Sequence, residues 1–272
     1  MKRKTILIAE IGENYLGDLD IAKIMINEVA RAGVDIVKFQ SYLASDVADD
    51  DPEKQWFEIV QLSNDDHFEL KKYSEMKGIE FMSSPFSIER ARFLCEVLGL
   101  KKIKIASLEL TNFSLLDVVN LYSNTVFLST GLANLREISD ALQRLTNVKD
   151  CYIMQCTSQY PTYTRDANLN VITMLKNVFP RYHVGYSDHT IGNQAILTAV
   201  ALGAEVIEKH FTLDRNLQGT DHVISVDPEG LKELVLKIEE VETLLGDYRK
   251  KPTKEEEAIR SFMRTRFSKN NK

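Results

Sequence analysis

Eight short β-rich runs alternate with amphipathic helical patterns along this chain, and no other feature constrains its fold as much. The helical patterns place apolar residues three and four positions apart, as at Ile21, Ile24 and Met25. The predicted strands cover residues 6–11, 35–40, 79–84, 102–107, 125–130, 151–156, 183–187 and 205–211. Eight βα units in 272 residues predict an α/β fold of the (β/α)8, or TIM-barrel, type.

A doubly wound open sheet is the alternative architecture for alternating strands and helices. Such a sheet normally carries a glycine-rich dinucleotide-binding turn after its first strand. Residues 11–18 do not match that turn. The sequence therefore favours the barrel, in which catalytic groups lie at the carboxyl ends of the strands.

The composition argues against two classes of partner. A formal net charge of -6 disfavours nonspecific nucleic-acid binding, which depends on clustered Lys and Arg. The apolar run after Lys4 is interrupted at Glu10, too early for a signal peptide, and no run approaches the ~18 apolar residues of a membrane helix. Three cysteines without metal-finger spacing fit reduced thiols. We therefore predict a cytoplasmic protein with no nucleic-acid and no membrane partner.

The chain changes character after Leu245. Residues 249–272 carry nine Lys or Arg and three consecutive glutamates, a pattern typical of a solvated helix or linker without its own core. We expect a catalytic barrel domain over residues 1–248 and a charged C-terminal linker or tail over residues 249–272.

Two histidines close successive predicted strands, since His189 follows the seventh run and His210 lies near the end of the eighth. A single histidine at a strand end is more often a hydrogen-bonded structural residue. Two histidines at neighbouring strand ends, however, would point into the same opening of the barrel, which we call the mouth. Histidine is the commonest metal ligand, so the pair predicts a divalent-metal site. Asp221, in the loop after the eighth strand, is placed to bind substrate hydroxyls or to approach the metal.

Lysines inside two other apolar runs predict an anion pocket. Lys38 and Lys104 are flanked by apolar residues, so each ammonium either lies inside the barrel or snorkels to solvent. An unpaired ammonium in the interior is costly or has its pKa lowered. Hydroxyl donors for a phosphate or carboxylate stand at other strand ends, at Ser84, Ser107 and Ser187.

Glu10 ends the first predicted strand. A carboxylate at a barrel mouth is a candidate general acid, general base or hydroxyl-binding group. An ion pair with a nearby lysine is the structural alternative for this residue.

Seven motifs follow one another in an order that points to one known family. They occupy residues 9–12, 37–40, 104–107, 129–131, 156–161, 184–190 and 208–212. They resemble the sialic acid synthase family, which includes N-acetylneuraminate, legionaminate and pseudaminate synthases. One departure is Tyr15, which stands where the family usually has histidine, and we expect it to alter a wall of the pocket.

The resemblance implies a barrel that condenses phosphoenolpyruvate with the aldehyde of an open-chain N-acetylated hexose, such as N-acetylmannosamine or a diacetamido-trideoxy relative. It implies that phosphoenolpyruvate is held by Lys38, Ser84, Lys104, Ser107 and Ser187, with Ser158 close to it. It implies that the sugar faces Glu10, Gln40, Tyr160 and Asp221, with Glu10 as the proton-transfer group and with Glu109 and Ser129 nearby. His189 and His210 would bind Mn, with Mg or Co as alternatives, to polarise the aldehyde oxygen.

The resemblance also implies a homodimer in which a small antifreeze-like domain follows the linker and reaches the partner's sugar site. This sequence stops at Lys272, so we expect that domain to be absent from it through truncation, natural loss or encoding as a separate protein. Two rival interpretations are a non-catalytic barrel that binds sugar or phosphoenolpyruvate, and a 3-deoxy-ulosonate synthase with another aldose acceptor.

Overall fold

The fold is a barrel of eight parallel strands surrounded by helices. The computed structural model describes residues 4–217, 219 and 221–267 of the chain. Within these residues the strands are β1 (Ile6–Gly12), β2 (Ile36–Ser41), β3 (Glu80–Pro85), β4 (Lys102–Ile105), β5 (Thr125–Ser129), β6 (Asp150–Cys156), β7 (His183–Asp188) and β8 (Val206–His210). The predicted α/β barrel is confirmed, and each predicted strand bound holds to within two residues.

Helices follow every strand in the described part of the chain. They are α1 (Leu19–Arg31), α2 (Lys54–Val60), α3 (Asn64–Met76), α4 (Ile88–Arg92), α5 (Phe113–Tyr122), α6 (Leu135–Arg144), α7 (Asn170–Val178), α8 (Gln194–Ala201), α9 (Pro228–Leu245) and α10 (Lys254–Thr265). Several begin at side-chain caps, as at Asp18 before α1 and in the capping boxes of Ser63 and Asn134. The short α2 is an additional helix between β2 and α3, on the side of the barrel where the strands end.

Strand pairing defines the barrel. The order is β3-β2-β1-β8-β7-β6-β5-β4, so consecutive strands are neighbours and the first strand pairs with the last. The strands β3 and β4 contact each other at the remaining seam. This is the topology of a (β/α)8 barrel rather than of an open doubly wound sheet.

The inward faces of the strands change from apolar to polar toward the mouth. An apolar floor fills the interior with Ile8, Ile36, Met82, Phe127, Met154 and Val206. Strand side chains alternate between two faces, so the residues two positions further along point into the same interior. These are the buried residues Glu10, Lys38, Ser84, Ser129, Cys156 and Glu208. The apolar floor therefore carries a layer of polar and charged groups at the carboxyl ends of the strands.

The C-terminal segment contains the exposed helix α10. None of the residues of α10 is buried. Residues 268–272 of the predicted tail lie outside the described residues. Across the described ranges, we find no helix whose length and apolar character would suffice to cross a membrane.

Candidate active site

The register between strands brings three of the predicted residues side by side. Glu10 pairs with Lys38 on β2 and with His210 on β8. The irregularity that follows Glu10 leaves Gly12 at a positive φ of 54°. A Cβ atom on Gly12 would lie 3.3 Å from Glu10 Oε1 and 3.5 Å from Asp221 Oδ2. Glycine therefore fits both the backbone conformation and the close approach of these carboxylates.

Four buried charged residues, which we call the charge cluster, occupy the mouth: Glu10, Lys38, Lys104 and Glu208. Lys38 Nζ lies 2.7 Å from Glu10 Oε2 and 3.7 Å from Glu208 Oε2. Lys104 Nζ lies 3.1 Å from Glu208 Oε1. None of the four side chains is more than 4% exposed. Both lysines therefore lie inside the barrel and are paired, and Glu10 forms the ion pair that was its structural alternative.

For two members of the charge cluster, ion pairing has a larger effect on the pKa than burial has. Burial by itself lowers the pKa of Lys38, but Glu10 and Glu208 more than compensate, and the pKa is raised. The lowered pKa expected for an unpaired lysine is therefore not found at Lys38. Burial raises the pKa of Glu208, yet Lys104 and Lys38 bring it down to about 2. Both groups are charged at neutral pH.

Glu208 is a site residue that the sequence analysis did not single out. It stands two residues before His210 on β8, so strand alternation directs both side chains into the mouth. Ser187 Oγ donates a hydrogen bond to Glu208 Oε1 at 2.9 Å. The signal that marks Glu208 in the sequence is this two-residue spacing from His210.

Ser107, Gly131 and Ser158 form a hydroxyl cradle after β4, β5 and β6. The backbone N–H of Gly131 donates to Ser107 Oγ at 3.1 Å. A Cβ atom on Gly131 would lie 2.7 Å from Ser107 Oγ and would overlap Ser158 Oγ. Ser107 begins a short 3-10 turn, Ser107–Glu109, instead of ending β4 as predicted. Closely spaced hydroxyls beside the lysine-bearing strand β4 suit the oxygens of a phosphate or carboxylate.

Other predicted residues join the same mouth through direct contacts. Lys38 Nζ donates to Ser84 Oγ at 3.2 Å, and Gln40 Nε2 donates to Glu10 Oε1 at 3.0 Å. The ring centroid of Tyr160 lies 4.0 Å from that of His189.

Two other predicted site residues, Ser129 and Glu109, are also buried. Ser129 ends β5 and is fully buried. Glu109 is also buried, and it accepts a hydrogen bond from Asn112 Nδ2 at 2.7 Å before α5. Burial raises the pKa of Glu109. Its role as a sugar-side residue stays a prediction.

The two histidines converge as the strand pattern predicted. The ring centroids of His189 and His210 are 5.3 Å apart, and both residues are buried. His189 Nδ1 lies 2.8 Å from the Thr157 carbonyl oxygen. His210 Nδ1 lies 3.1 Å from Asp221 Oδ2. Burial lowers the pKa of His210, but the Asp221 carboxylate outweighs it and the net shift is upward.

This arrangement fits a divalent cation with two protein ligands. Nδ1 of His189 lies within hydrogen-bonding distance of a carbonyl oxygen, which leaves its Nε2 for a ligand, and metal-bound histidines commonly engage their second nitrogen in this way. Residues 4–217, 219 and 221–267 contain no group of three or more His, Cys, Asp or Glu side chains suited to holding a metal.

A buried ion pair lies behind the two histidines. Lys209 Nζ lies 2.6 Å from Asp188 Oδ2 and donates to the Thr190 carbonyl oxygen at 2.6 Å. Both side chains are at most 1% exposed. Asp188 precedes His189 and Lys209 precedes His210, so this pair fixes the ends of β7 and β8 that carry the imidazoles.

The fold and the site define a (β/α)8-barrel enzyme with buried lysines and carboxylates beside two converging imidazoles at its mouth. The NeuB family model matches residues 25–250, and the chain belongs to the NeuB family. The predicted resemblance to sialic acid synthases is thereby confirmed.

Named relatives and a solved structure agree with this assignment. The chain is 40% identical to N,N'-diacetyllegionaminic acid synthase of Campylobacter jejuni, over 94% of this chain and 81% of that protein. It is 35% identical to human N-acetylneuraminate-9-phosphate synthase, over 92% and 72% of the two chains. The crystal structure of N-acetylneuraminic acid synthetase from Leptospira borgpetersenii, in complex with citrate, superposes with a TM-score of 0.90 at 34% identity and covers 98% of this chain and 93% of that chain.

Proposed function

We propose that this enzyme condenses phosphoenolpyruvate with an open-chain N-acetylated hexose, giving a nine-carbon 2-keto-3-deoxy acid and inorganic phosphate. The observation that carries the proposal is the charge cluster, which lies beside two converging imidazoles at the barrel mouth. The named activities of the relatives support the product class.

Phosphoenolpyruvate carries a phosphate and a carboxylate, and the two buried lysines supply one ammonium group for each. Ser84 and Ser187 stand beside this pair, and the hydroxyl cradle lies nearby on β4 to β6. Fixing both anionic groups directs the C3 carbon toward a sugar held on the histidine side of the mouth. Such positioning replaces an encounter of two free reactants with a reaction inside one complex.

The charge balance of the mouth favours a bound cation. Two ammonium groups face three carboxylates once Asp221 is counted with the charge cluster. An anionic substrate would therefore face more carboxylates than lysines, and a divalent cation at His189 and His210 would add positive charge to the mouth. Such a cation, which we propose to be Mn with Mg or Co as alternatives, supplies Lewis-acid polarisation of the aldehyde oxygen when it is bound.

The reaction forms one carbon–carbon bond and releases phosphate. The C3 carbon of phosphoenolpyruvate attacks the aldehyde carbon, whose oxygen takes up a proton, and water adds at C2. The bond between C2 and the bridging phosphate oxygen is then broken, so phosphate leaves and C2 becomes the keto carbon. Glu10 is held by Gln40 and Lys38 next to His210, so it is the carboxylate best placed to move a proton at the sugar oxygen or the attacking water. Gln40, Tyr160 and Asp221 face the acceptor in this proposal.

Phosphate release from phosphoenolpyruvate tests the proposal. We expect Mn-dependent release with N-acetylmannosamine or a 2,4-diacetamido-trideoxy relative, and loss of the metal dependence in His189→Ala and His210→Ala. Direct Mn binding, followed by electron paramagnetic resonance, should be lost in the same two variants. Absence of turnover with each acceptor, even with an antifreeze-like domain added as a separate protein, would refute the synthase proposal.

The same assay separates the rival interpretations. Binding of phosphoenolpyruvate without turnover would indicate a non-catalytic barrel, and turnover only with other aldoses would indicate a 3-deoxy-ulosonate synthase. A homodimer in the cytoplasm, with the sugar site completed by an antifreeze-like domain, is also part of the proposal, and light scattering would measure the oligomeric state.

A further inference from the structure

We propose that Glu13 holds α2 against the turn after β1 and that α2 thereby forms the acceptor-side wall of the mouth. Glu13 is then a positioning residue for the acceptor. The chemical identity of the acceptor rests on the proposed function. The contacts of Glu13 with Trp56 and Tyr42 are called the α2 latch below.

The α2 latch joins three segments of the chain. Glu13 lies in the turn after β1, and its Oε1 accepts a hydrogen bond from the Tyr42 hydroxyl at 3.2 Å. Its Oε2 accepts a hydrogen bond from Trp56 Nε1 on α2. Tyr42 in turn packs edge-on against Phe57 of α2, with ring centroids 5.1 Å apart. One carboxylate therefore connects the β1 turn, the residue after β2 and the face of α2.

A second contact from the same turn reaches the end of α2. The Tyr15 hydroxyl donates to the Val60 carbonyl oxygen, and Tyr15 is only 1% exposed. In this proposal, Tyr15 shapes the wall by holding the carboxyl end of α2 against the β1 turn.

Apart from the contacts with Glu13, Tyr15 and Tyr42, α2 is tied to the segment before it by Lys54, which pairs with Asp49 and donates to the Val47 carbonyl oxygen. It comprises seven residues, no side chain caps its amino terminus, and Val60 is its single buried residue. A helix of this length is not stable by itself in water. Its position therefore depends on contacts with other segments, among them those that the β1 turn provides.

Glu13 also lies close to the acceptor half of the mouth. It follows Gly12, whose missing side chain leaves the approach between Glu10 and Asp221 open. Burial and then repulsion by Asp221 raise the pKa of Glu13 to about 7, although the hydrogen bonds from Trp56 and Tyr42 lower it. Glu53 adds a smaller repulsion. Tyr15, whose own pKa is raised by burial and by Glu13, is the remaining titratable neighbour.

Fluorescence of Trp56 tests the α2 latch without any reaction, because Trp56 is the chain's only tryptophan. Glu13→Ala removes both accepting oxygens, and Glu58→Ala truncates an exposed glutamate on the same helix as a matched control. We expect acrylamide to quench Trp56 more strongly in Glu13→Ala and equally in the wild type and Glu58→Ala. Equal quenching in all three proteins would overturn the latch.

A pH titration adds a specific signature. The emission of Trp56 in the wild type should change with a midpoint at about 7, and Glu13→Gln should lose that transition. An unchanged midpoint in Glu13→Gln would assign the transition to another group and count against the latch.

Steady-state kinetics test the role of the wall. With whichever of N-acetylmannosamine and its 2,4-diacetamido-trideoxy relatives supports the fastest phosphate release, Glu13→Ala and Trp56→Phe should raise the acceptor KM about tenfold, the factor that corresponds to about 1.4 kcal/mol. The KM for phosphoenolpyruvate and kcat should stay at wild-type values, and Glu58→Ala should match the wild type throughout. Stronger quenching with an unchanged acceptor KM would overturn the role of α2 as the acceptor wall. A wild type that turns over none of these sugars would refute the proposed function instead, and the quenching measurements would still decide whether the latch exists.

Discussion

Glu208→Gln removes a negative charge from the charge cluster while it keeps the size of the side chain. Because the pKa of Glu208 lies at about 2 against an ordinary value of 4.5, its ionised form is favoured in the folded chain. That difference corresponds to about 3 kcal/mol. The substitution also leaves Lys104 and Lys38 buried with fewer counter-charges, and breaking a buried pair in this way costs about 3 to 5 kcal/mol. We therefore expect the free energy of unfolding to fall by about 3 kcal/mol in urea denaturation at pH 7.

A surface pair provides the control for this prediction. Glu80 Oε2 lies 2.7 Å from Lys102 Nζ, but these side chains are 43% and 37% exposed. Glu80→Gln should therefore cost less than about 1 kcal/mol. An unfolding free energy that is unchanged or increased in Glu208→Gln, measured beside this control, would refute the electrostatic reasoning.

The contribution of Glu208 to the free energy of unfolding should also depend on pH, in a direction that follows from its lowered pKa. The folded pKa of Glu208 is depressed, so its stabilising contribution is present above an ordinary pKa of 4.5 and is lost as the pH falls toward about 2. The difference in stability between the wild type and Glu208→Gln should shrink across that window. A difference that stays constant from pH 5 to pH 2.5 would contradict the assignment.

Three further predictions follow from other contacts. Gly131→Ala should raise the KM for phosphoenolpyruvate about tenfold, because the added methyl group enters the hydroxyl cradle; an unchanged KM would remove the cradle from the substrate site. Lys209→Met should lower the unfolding free energy by about 3 kcal/mol or more, and adding Asp188→Asn should restore part of the loss; purely additive losses would mean that the two residues do not act as a pair. Burial lowers the pKa of His67 to about 4, so the wild type should lose about 3 kcal/mol as the pH falls from about 6.5 to about 4, and a His67→Gln variant with the same pH profile would disprove this.

The residues at the strand ends could be predicted because the order of the strands in the sequence determines which strands are neighbours in the barrel. His189 and His210 end neighbouring strands, and Lys38 pairs with Glu10 in register, so the alternation of strands and helices was sufficient to place them at one mouth. Glu208 was equally accessible to this reasoning, since it shares a strand face with His210. A pattern of histidines at strand ends does not mark Glu208, because it lies two residues before the end of β8.

The α2 latch could not be predicted in the same way. Trp56 lies on α2 and donates to Glu13, a residue 43 positions earlier in the chain. The path of the chain between β2 and α3 is set by side-chain contacts and not by a repeating pattern. Hydrophobic periodicity therefore carries no information about which turn α2 meets.

Carbon-13 nuclear magnetic resonance of the product tests the central claim most directly. Phosphoenolpyruvate labelled at C3 is incubated with Mn and an N-acetylated hexose labelled at its aldehyde carbon. We predict a new coupling between the two labelled carbons, with one phosphate released for each bond formed. Phosphate release without that coupling, or no reaction of either labelled substrate, would contradict a carbon–carbon bond-forming site at this barrel mouth.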